Sequence, residues 1–413
     1  MPTKPWVRPG ILAAVLWIAA NAGHAQTAVA LEHPLKRGLA AAWERQPEQR
    51  STELRRDAVD AARRAAQRWT PGAPTLDLVG RSDRANGNAG AREYDAAVSV
   101  PLWLPHERGS TQAVAQADGD ALEARLGATR LSLAELLRGA YWNQARAVQE
   151  VELAQERLRN ARGLASDVSR RVNAGDLARA DAHQADGIVA AAEAAVAEAG
   201  ANAARATRRW FTLTGLQPTN GDDSPTEVMP ASDQPSPEHP ALLELATRAE
   251  SARRQRELAG VQQWANPEVS IGAVRERGVA GERYERTAVV ALRIPIGKSY
   301  ASEARITSAS ADQLEAETWL ALQTQRIASE AASARDAVRA LEVSVDAADR
   351  RARLAREARG FFEKSFRLGE TDLPTRLRIE LESYEAERQA SRTRLERAAA
   401  ISSLRQALGL LPE

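Results

Sequence analysis

Apolar positions recur with two different periods along this chain, and the alternation between them defines its organisation. From His106 to Gln217 there is no proline, and Ala, Leu, Glu, Arg and Gln dominate, the residues that lose least on entering a helix. Within that run Leu133, Ala140, Ala147, Ala154 and Ala161 recur every seventh residue, with Leu137, Gln144, Val151, Leu158 and Ala165 as a second seam. Heptads with small seam residues predict closely approaching helices in coiled-coil packing. A helix from about Glu107 to Val172 would be on the order of 100 Å long at 1.5 Å per residue. Its one plausible break is Arg171-Val-Asn-Ala-Gly175-Asp176, where Asn173 and Gly175 tolerate left-handed backbone and Asp176 can cap a returning helix.

Ahead of this helical hairpin the period drops to two. Leu76, Leu78 and Gly80 alternate with Asp77, Val79 and Arg81, a turn follows at Asn86-Gly-Asn-Ala-Gly90, and Tyr94, Ala96, Val98, Val100 and Leu102 resume the alternation. The pattern predicts a β-hairpin with strands 74–83 and 93–103. An amphipathic helical stretch near Pro47 to Trp69 precedes it.

The whole scheme then repeats. Gly369 lies 194 residues after Gly175, Pro295 the same distance after Pro101, and Gly409 and Pro412 the same distance after Gly215 and Pro218. Landmarks at one spacing indicate a tandem duplication. The second copy supplies a helical stretch near Pro240 to Trp264, strands 267–277 and 284–295, and seams Ile327, Ala334, Leu341, Ala348, Ala355 and Ala331, Val338, Val345, Ala352, Arg359. The expected division is a first repeat over 26–218, a linker over 219–237 and a second repeat over 238–413.

Residues 1–25 add an address. Lys4 and Arg8 precede the apolar run Ile11 to Ala20, and small residues lead to Ala25, the pattern of a cleaved secretory signal peptide. No later segment is apolar enough for a transmembrane helix. Four strands cannot close a barrel, and an open edge in lipid costs several kcal/mol per unpaired group, a few such groups being prohibitive. Several chains must therefore pool their strands if the hairpins enter a membrane. Three chains would supply twelve.

Charge and candidate chemistry narrow the function. Fifty-six basic against 55 acidic residues leave no field for nucleic acid, and there is no cysteine for disulfide or thiolate metal chemistry. His33, His106, His183 and His239 have no metal-ligand spacing, and neither a nucleophile elbow nor a phosphate loop occurs, so neither enzyme, metal site nor cofactor is expected. His183 near Asp176 and Asp181 reads better as a solvated surface residue than as a cation ligand.

The paired repeat of hairpin, Val100-Pro-Leu or Ile294-Pro-Ile exit, long helix, glycine tip and terminal Leu213-Thr-Gly-Leu-Gln-Pro resembles the TolC family of outer-membrane factors over nearly all of the mature chain. The tips Ala174-Gly-Asp-Leu and Leu368-Gly-Glu-Thr-Asp-Leu-Pro-Thr are most similar to members serving cobalt/zinc/cadmium-type cation efflux. The resemblance implies a mainly α fold with a membrane β-barrel part: a homotrimer, four barrel strands per chain, continued by long periplasmic coiled-coil helices. It implies an outer-membrane conduit acting with a periplasmic adaptor and an inner-membrane pump of the resistance-nodulation-division type. In many members of that family an aspartate stands six residues after each tip glycine. Here Asp181 keeps that place and Thr375 replaces it in the second repeat, with Asp372 three residues earlier. Gly175, Asp176, Asp181, Gly369, Glu370, Asp372 and Thr375 are accordingly the expected aperture and adaptor-docking residues. Asp181 equally suits a first-turn position favoured by the helix dipole. The rival reading is a periplasmic coiled-coil scaffold or adaptor, which accounts for export and heptads and leaves the two hairpins without a role.

Overall fold

The computed structural model describes residues 33–218, 226–297 and 300–413; the expected signal peptide lies outside them. The chain runs α1 (Pro34–Glu44), α2 (Pro47–Gln67), β1 (Thr75–Ser82), β2 (Arg92–Pro101), α3 (Glu107–Ala174), α4 (Arg179–Thr214), α5 (Pro240–Val261), β3 (Glu268–Arg277), β4 (Glu285–Arg293), α6 (Tyr300–Arg367) and α7 (Leu373–Ala407). α3 and α6 are 68 residues each, about 100 Å of helix. Every one of the heptad positions named above in both repeats is buried or half-buried. The seams hold α3 against α4 and α6 against α7.

Both expected hairpins form, with ends within two residues of the predicted ones. They join into one antiparallel sheet of order β1-β2-β3-β4, so the duplication is fused at the β2–β3 pair. Tertiary packing decides one feature that the pattern hides. The first repeat does not begin at Pro47, because α1 precedes α2 and buries Leu35, Leu39, Ala42 and Trp43 among Leu133, Leu137, Tyr141, Trp142 and Trp210. His33 and His239 open α1 and α5 alike: each imidazole Nδ1 accepts from the backbone N–H two residues on, at 3.2 Å, and a proline follows at the first helical position.

The main core is therefore at mid-height, where α1, α3, α4 and α7 meet. A separate small cluster at the far end packs Val168, Ala185, Phe366 and Leu373. The chain exposes 27356 Å², against roughly 16,000 Å² expected of a compact monomer of its mass. Such an excess reflects the two 68-residue helices, which expose much of their length.

Candidate functional site: an amphipathic sheet and two helical tips

Directly opposed residues of an antiparallel sheet point to the same face, and alternate residues to opposite faces. The register therefore sorts the strands without ambiguity. One face carries Leu76, Leu78, Ala96, Val98, Val100, Val269, Ile271, Ala273, Ala288, Val290 and Leu292. Leu76, Leu78, Ile271 and Val290 are 62–75% exposed, a solvated apolar face that a soluble sheet would cover. The other face carries Asp77, Glu93, Asp95, Glu268, Glu276 and Glu285 with only Arg81 and Arg293 as counter-charges. Its polar groups are knitted together: Ser99 Oγ donates to Asp77 at 2.7 Å and meets Ser270 at 2.9 Å, and Arg81 pairs with Glu93. Among the described residues β1 and β4 each have a single partner strand, so the sheet has two open edges.

Aromatic rings lie at both ends of the sheet. Trp69 (93% exposed), Trp103 and Trp264 lie past the helix ends at the helical side, and Trp103 donates its indole N–H to Arg68 O. Tyr94 and Tyr284 lie toward the turn side, 6.4 Å apart. Paired aromatic levels are the arrangement of membrane-interface girdles. The two turns touch, Ala280 N–H donating to Ala89 O at 2.9 Å. Gly90 (φ 104°) is required there, because a Cβ would fall 2.3 Å from Ala280 N.

At the strand–helix junction a buried carboxylate replaces apolar packing. Glu107 Oε2 accepts from Leu104 N–H (2.9 Å) and Asn266 Nδ2 (2.5 Å), and Oε1 from Gln262 Nε2 (2.8 Å). It thereby fixes the first long helix to the connection leading into β3.

The tips obey helix-end chemistry. At Gly175 (φ 89°) the Gly175 N–H reaches Val172 O and the Asp176 N–H reaches Arg171 O; at Gly369 (φ 81°) the Gly369 N–H reaches Phe366 O and the Glu370 N–H reaches Ser365 O. Both are Schellman motifs, which satisfy the last carbonyls of a helix. The returning helices start at corresponding places but use opposite halves of a capping box. Asp181, at the third helical position of α4, reaches back to Ala178 N–H at 3.0 Å. Asp372, at the N-cap of α7, accepts from Thr375 N–H at 3.3 Å, and hydrogen bonding from Thr375 holds its carboxyl below the usual range. Asp372 and Thr375 thus form one cap, while Asp176 and Glu370 are exposed beside the glycines. A residue that the sequence offers only as part of the first tip binds the two tips to each other. Arg171 of the first tip donates to Phe366 O and Arg367 O, both at 2.9 Å, and stacks over the Phe366 ring at 4.7 Å.

Mid-height polar chemistry is equally specific. The segment leading into α5, beyond residue 225, is pinned by Glu227, whose carboxylate accepts from Arg138 Nε (2.8 Å) and Nη2 (2.7 Å) and pairs with Arg405 at 3.4 Å. His239, 3% exposed, packs against Gly409, where a Cβ would come 2.6 Å from its ring. Burial pushes its pKa below the ordinary histidine value. The folded state thus holds the neutral form, and the associated stability is complete above about pH 6.5 and lost as pH falls through the lower folded value. His239→Asn keeps a capping acceptor and should abolish that loss. The check is the difference in melting temperature between pH 7.5 and 5.5, which should shrink in the variant. Among the described residues no three His, Asp or Glu side chains converge as a metal site, and His183 is exposed on α4.

Residues 39–216 match the sequence profile of the family described as Outer membrane efflux protein. The fold agrees over nearly the whole chain with three solved structures. They are a membrane protein from Pseudomonas aeruginosa (20% identity, TM-score 0.74, covering 91% of this chain and 90% of that one), CusC (17%, 0.74, 92% and 93%), and the outer membrane protein VceC from Vibrio cholerae (17%, 0.72, 92% and 97%). No curated protein matches the chain significantly by sequence. The chain is a protein of the outer membrane with a large periplasmic part.

Proposed function

We propose that three copies of this chain close a twelve-stranded barrel and a continuous helical tunnel, forming the passive outer-membrane conduit of a tripartite efflux system. The observation that carries the reading is the amphipathic four-stranded sheet with two open edges at the end of helices about 100 Å long. Lipid requires its backbone groups to be paired and its apolar face covered. Joining β1 of one copy to β4 of the next meets both demands. A periplasmic scaffold would leave that face in water. Native mass spectrometry of detergent-extracted protein should give trimers, and cysteine pairs placed on β1 and β4 should crosslink between copies. Exclusively monomeric protein sinks the reading.

In this arrangement the acidic face lines the lumen, which supports the leaning toward cationic cargo, while the helical tips face an adaptor and, through it, a resistance-nodulation-division pump. A conduit lined by weakly binding charges favours counter-ions without trapping them. In planar bilayers under a salt gradient the reversal potential should lie on the cation side. Glu276→Gln with Glu285→Gln, a directly opposed pair, should move it toward zero. A potential that is anion-selective, or unmoved by these changes, removes the support for cationic cargo.

A further inference from the structure

The apolar face of the sheet ends in a basic belt. Moving from the helices toward the turns, the row Leu78, Ala96, Ala273, Ala288 is followed by Gly80, Tyr94, Arg275, Arg286 and then by Ser82, Arg92, Arg277. No carboxylate occupies this face on any strand, although the opposite face is acidic at the same level with Glu93, Glu276 and Glu285. Arg92 is neutralised by Asp83 at 2.5 Å. Arg275, Arg277 and Arg286 have no carboxylate within ion-pair distance among the described residues. Arg275 and Arg277 lie over the Tyr284 ring at 4.3 and 5.0 Å, and Arg277 donates to Gly90 O at 3.0 Å.

Arg275 and Arg286 are directly opposed across β3 and β4, where like charges destabilise a sheet. An anion that bridges two guanidinium forks relieves the repulsion, and phosphate is the group whose geometry suits them. The apolar row lies one two-residue step away, roughly 7 Å, so the same ligand must present hydrocarbon directly beneath its phosphate. Resting on the reading of the sheet as barrel wall with its turns outside, we propose that Arg275, Arg277 and Arg286 bind the phosphates of the outer-leaflet glycolipid of the lipid A class, with its acyl chains on the Leu78–Ala288 row.

The test uses purified, delipidated full-length trimer titrated with bisphosphorylated lipid A, with the same lipid stripped of both phosphates, and with inorganic phosphate, followed by native mass spectrometry and trimer melting. Wild type should bind the phosphorylated lipid at least roughly tenfold better than the stripped one, as charge-assisted bidentate contacts imply. Arg275→Gln with Arg277→Gln and Arg286→Gln should erase the preference. Arg286→Gln alone, which removes no side-chain hydrogen bond within the described residues, should weaken it with the trimer intact. Equal binding of the two lipids by wild-type trimer overturns the site alone, as does a preference unchanged in Arg286→Gln and the triple variant. Inorganic phosphate reproducing the lipid's stabilisation overturns the lipid assignment. Failure of the chain to trimerise in outer membranes overturns the barrel reading and the site with it.

Discussion

Glu227→Ala should cost about 3–5 kcal/mol, the magnitude found when one partner of a buried ion pair is removed. The carboxylate is 2% exposed, and Arg138 and Arg405 around it are 4% and 5% exposed. Burial opposes its ionisation, but the two hydrogen bonds from Arg138, the contact with Ser402 and the charge of Arg405 outweigh that penalty and hold its pKa below the ordinary value. Its stabilisation is therefore present above the unfolded carboxyl pKa, near 4.3, and is lost as pH falls through the lower folded value. Without the carboxylate both guanidinium groups stay buried, with Arg138 left to the neutral acceptors Gln406 (2.6 Å) and Leu410 O (3.0 Å), while Arg405 keeps Val228 O (3.0 Å), Leu411 O (3.4 Å) and the exposed Glu413 carboxylate (3.1 Å). The segment preceding α5 should detach from α3 and α7. Thermal melting and urea titration of the purified protein measure the loss. Adding Arg138→Met should recover part of it, since the uncompensated charge is the larger component of the penalty. A Glu227→Ala protein that melts with wild type would show that the segment is held by something other than this pair.

The heptads and the period-two stretches were legible because they are repetitive. Leu133, Leu137, Ala140 and Ala154 are core positions, and the alternation from Leu76 to Leu102 set the strands within two residues of their ends. What repetition could not reveal was α1. The His-Pro helix starts at His33 and His239 are 206 residues apart rather than 194, because the first repeat breaks its opening helix at Arg45 and Gln46. The spacing of the tip glycines therefore does not carry over to the helix starts.

Buried charges were illegible for a different reason. With 27% of the sequence charged, Glu107, Arg138, Glu227 and Arg405 are indistinguishable from the solvated residues of long helices until packing selects them. The same holds at the tips, where the family resemblance implied aperture aspartates without giving their local partners. Asp181 and Asp372 both complete helix caps. Aperture and docking roles for the seven expected residues stand as proposals, with Asp176 and Glu370 the freest to meet a partner.

Arg171→Ala should change conduction more than stability. Its two hydrogen bonds end on Phe366 O and Arg367 O, the terminal carbonyls of α6. The side chain therefore ties the α3–α4 tip to the α6–α7 tip beside the small cluster of Val168, Ala185, Phe366 and Leu373. Charge-assisted hydrogen bonds of this kind contribute roughly 1.5–3 kcal/mol each in favourable cases and less at a partly exposed site. In the proposed conduit even about 1.4 kcal/mol shifts an equilibrium tenfold toward helices displaced laterally at the tunnel mouth. The main core lies at mid-height among α1, α3, α4 and α7, so trimer melting should stay within a few degrees of wild type. Single-channel conductance in planar bilayers should rise several-fold, in line with that population shift. Arg171→Lys, which keeps the charge but not the planar fork, should recover the tie only in part. Gly175→Val and Gly369→Val, forced into φ of 89° and 81°, should distort the turns instead and reduce adaptor crosslinking. Unchanged conductance in Arg171→Ala with a normal trimer would mean that the two tips are held together by packing alone.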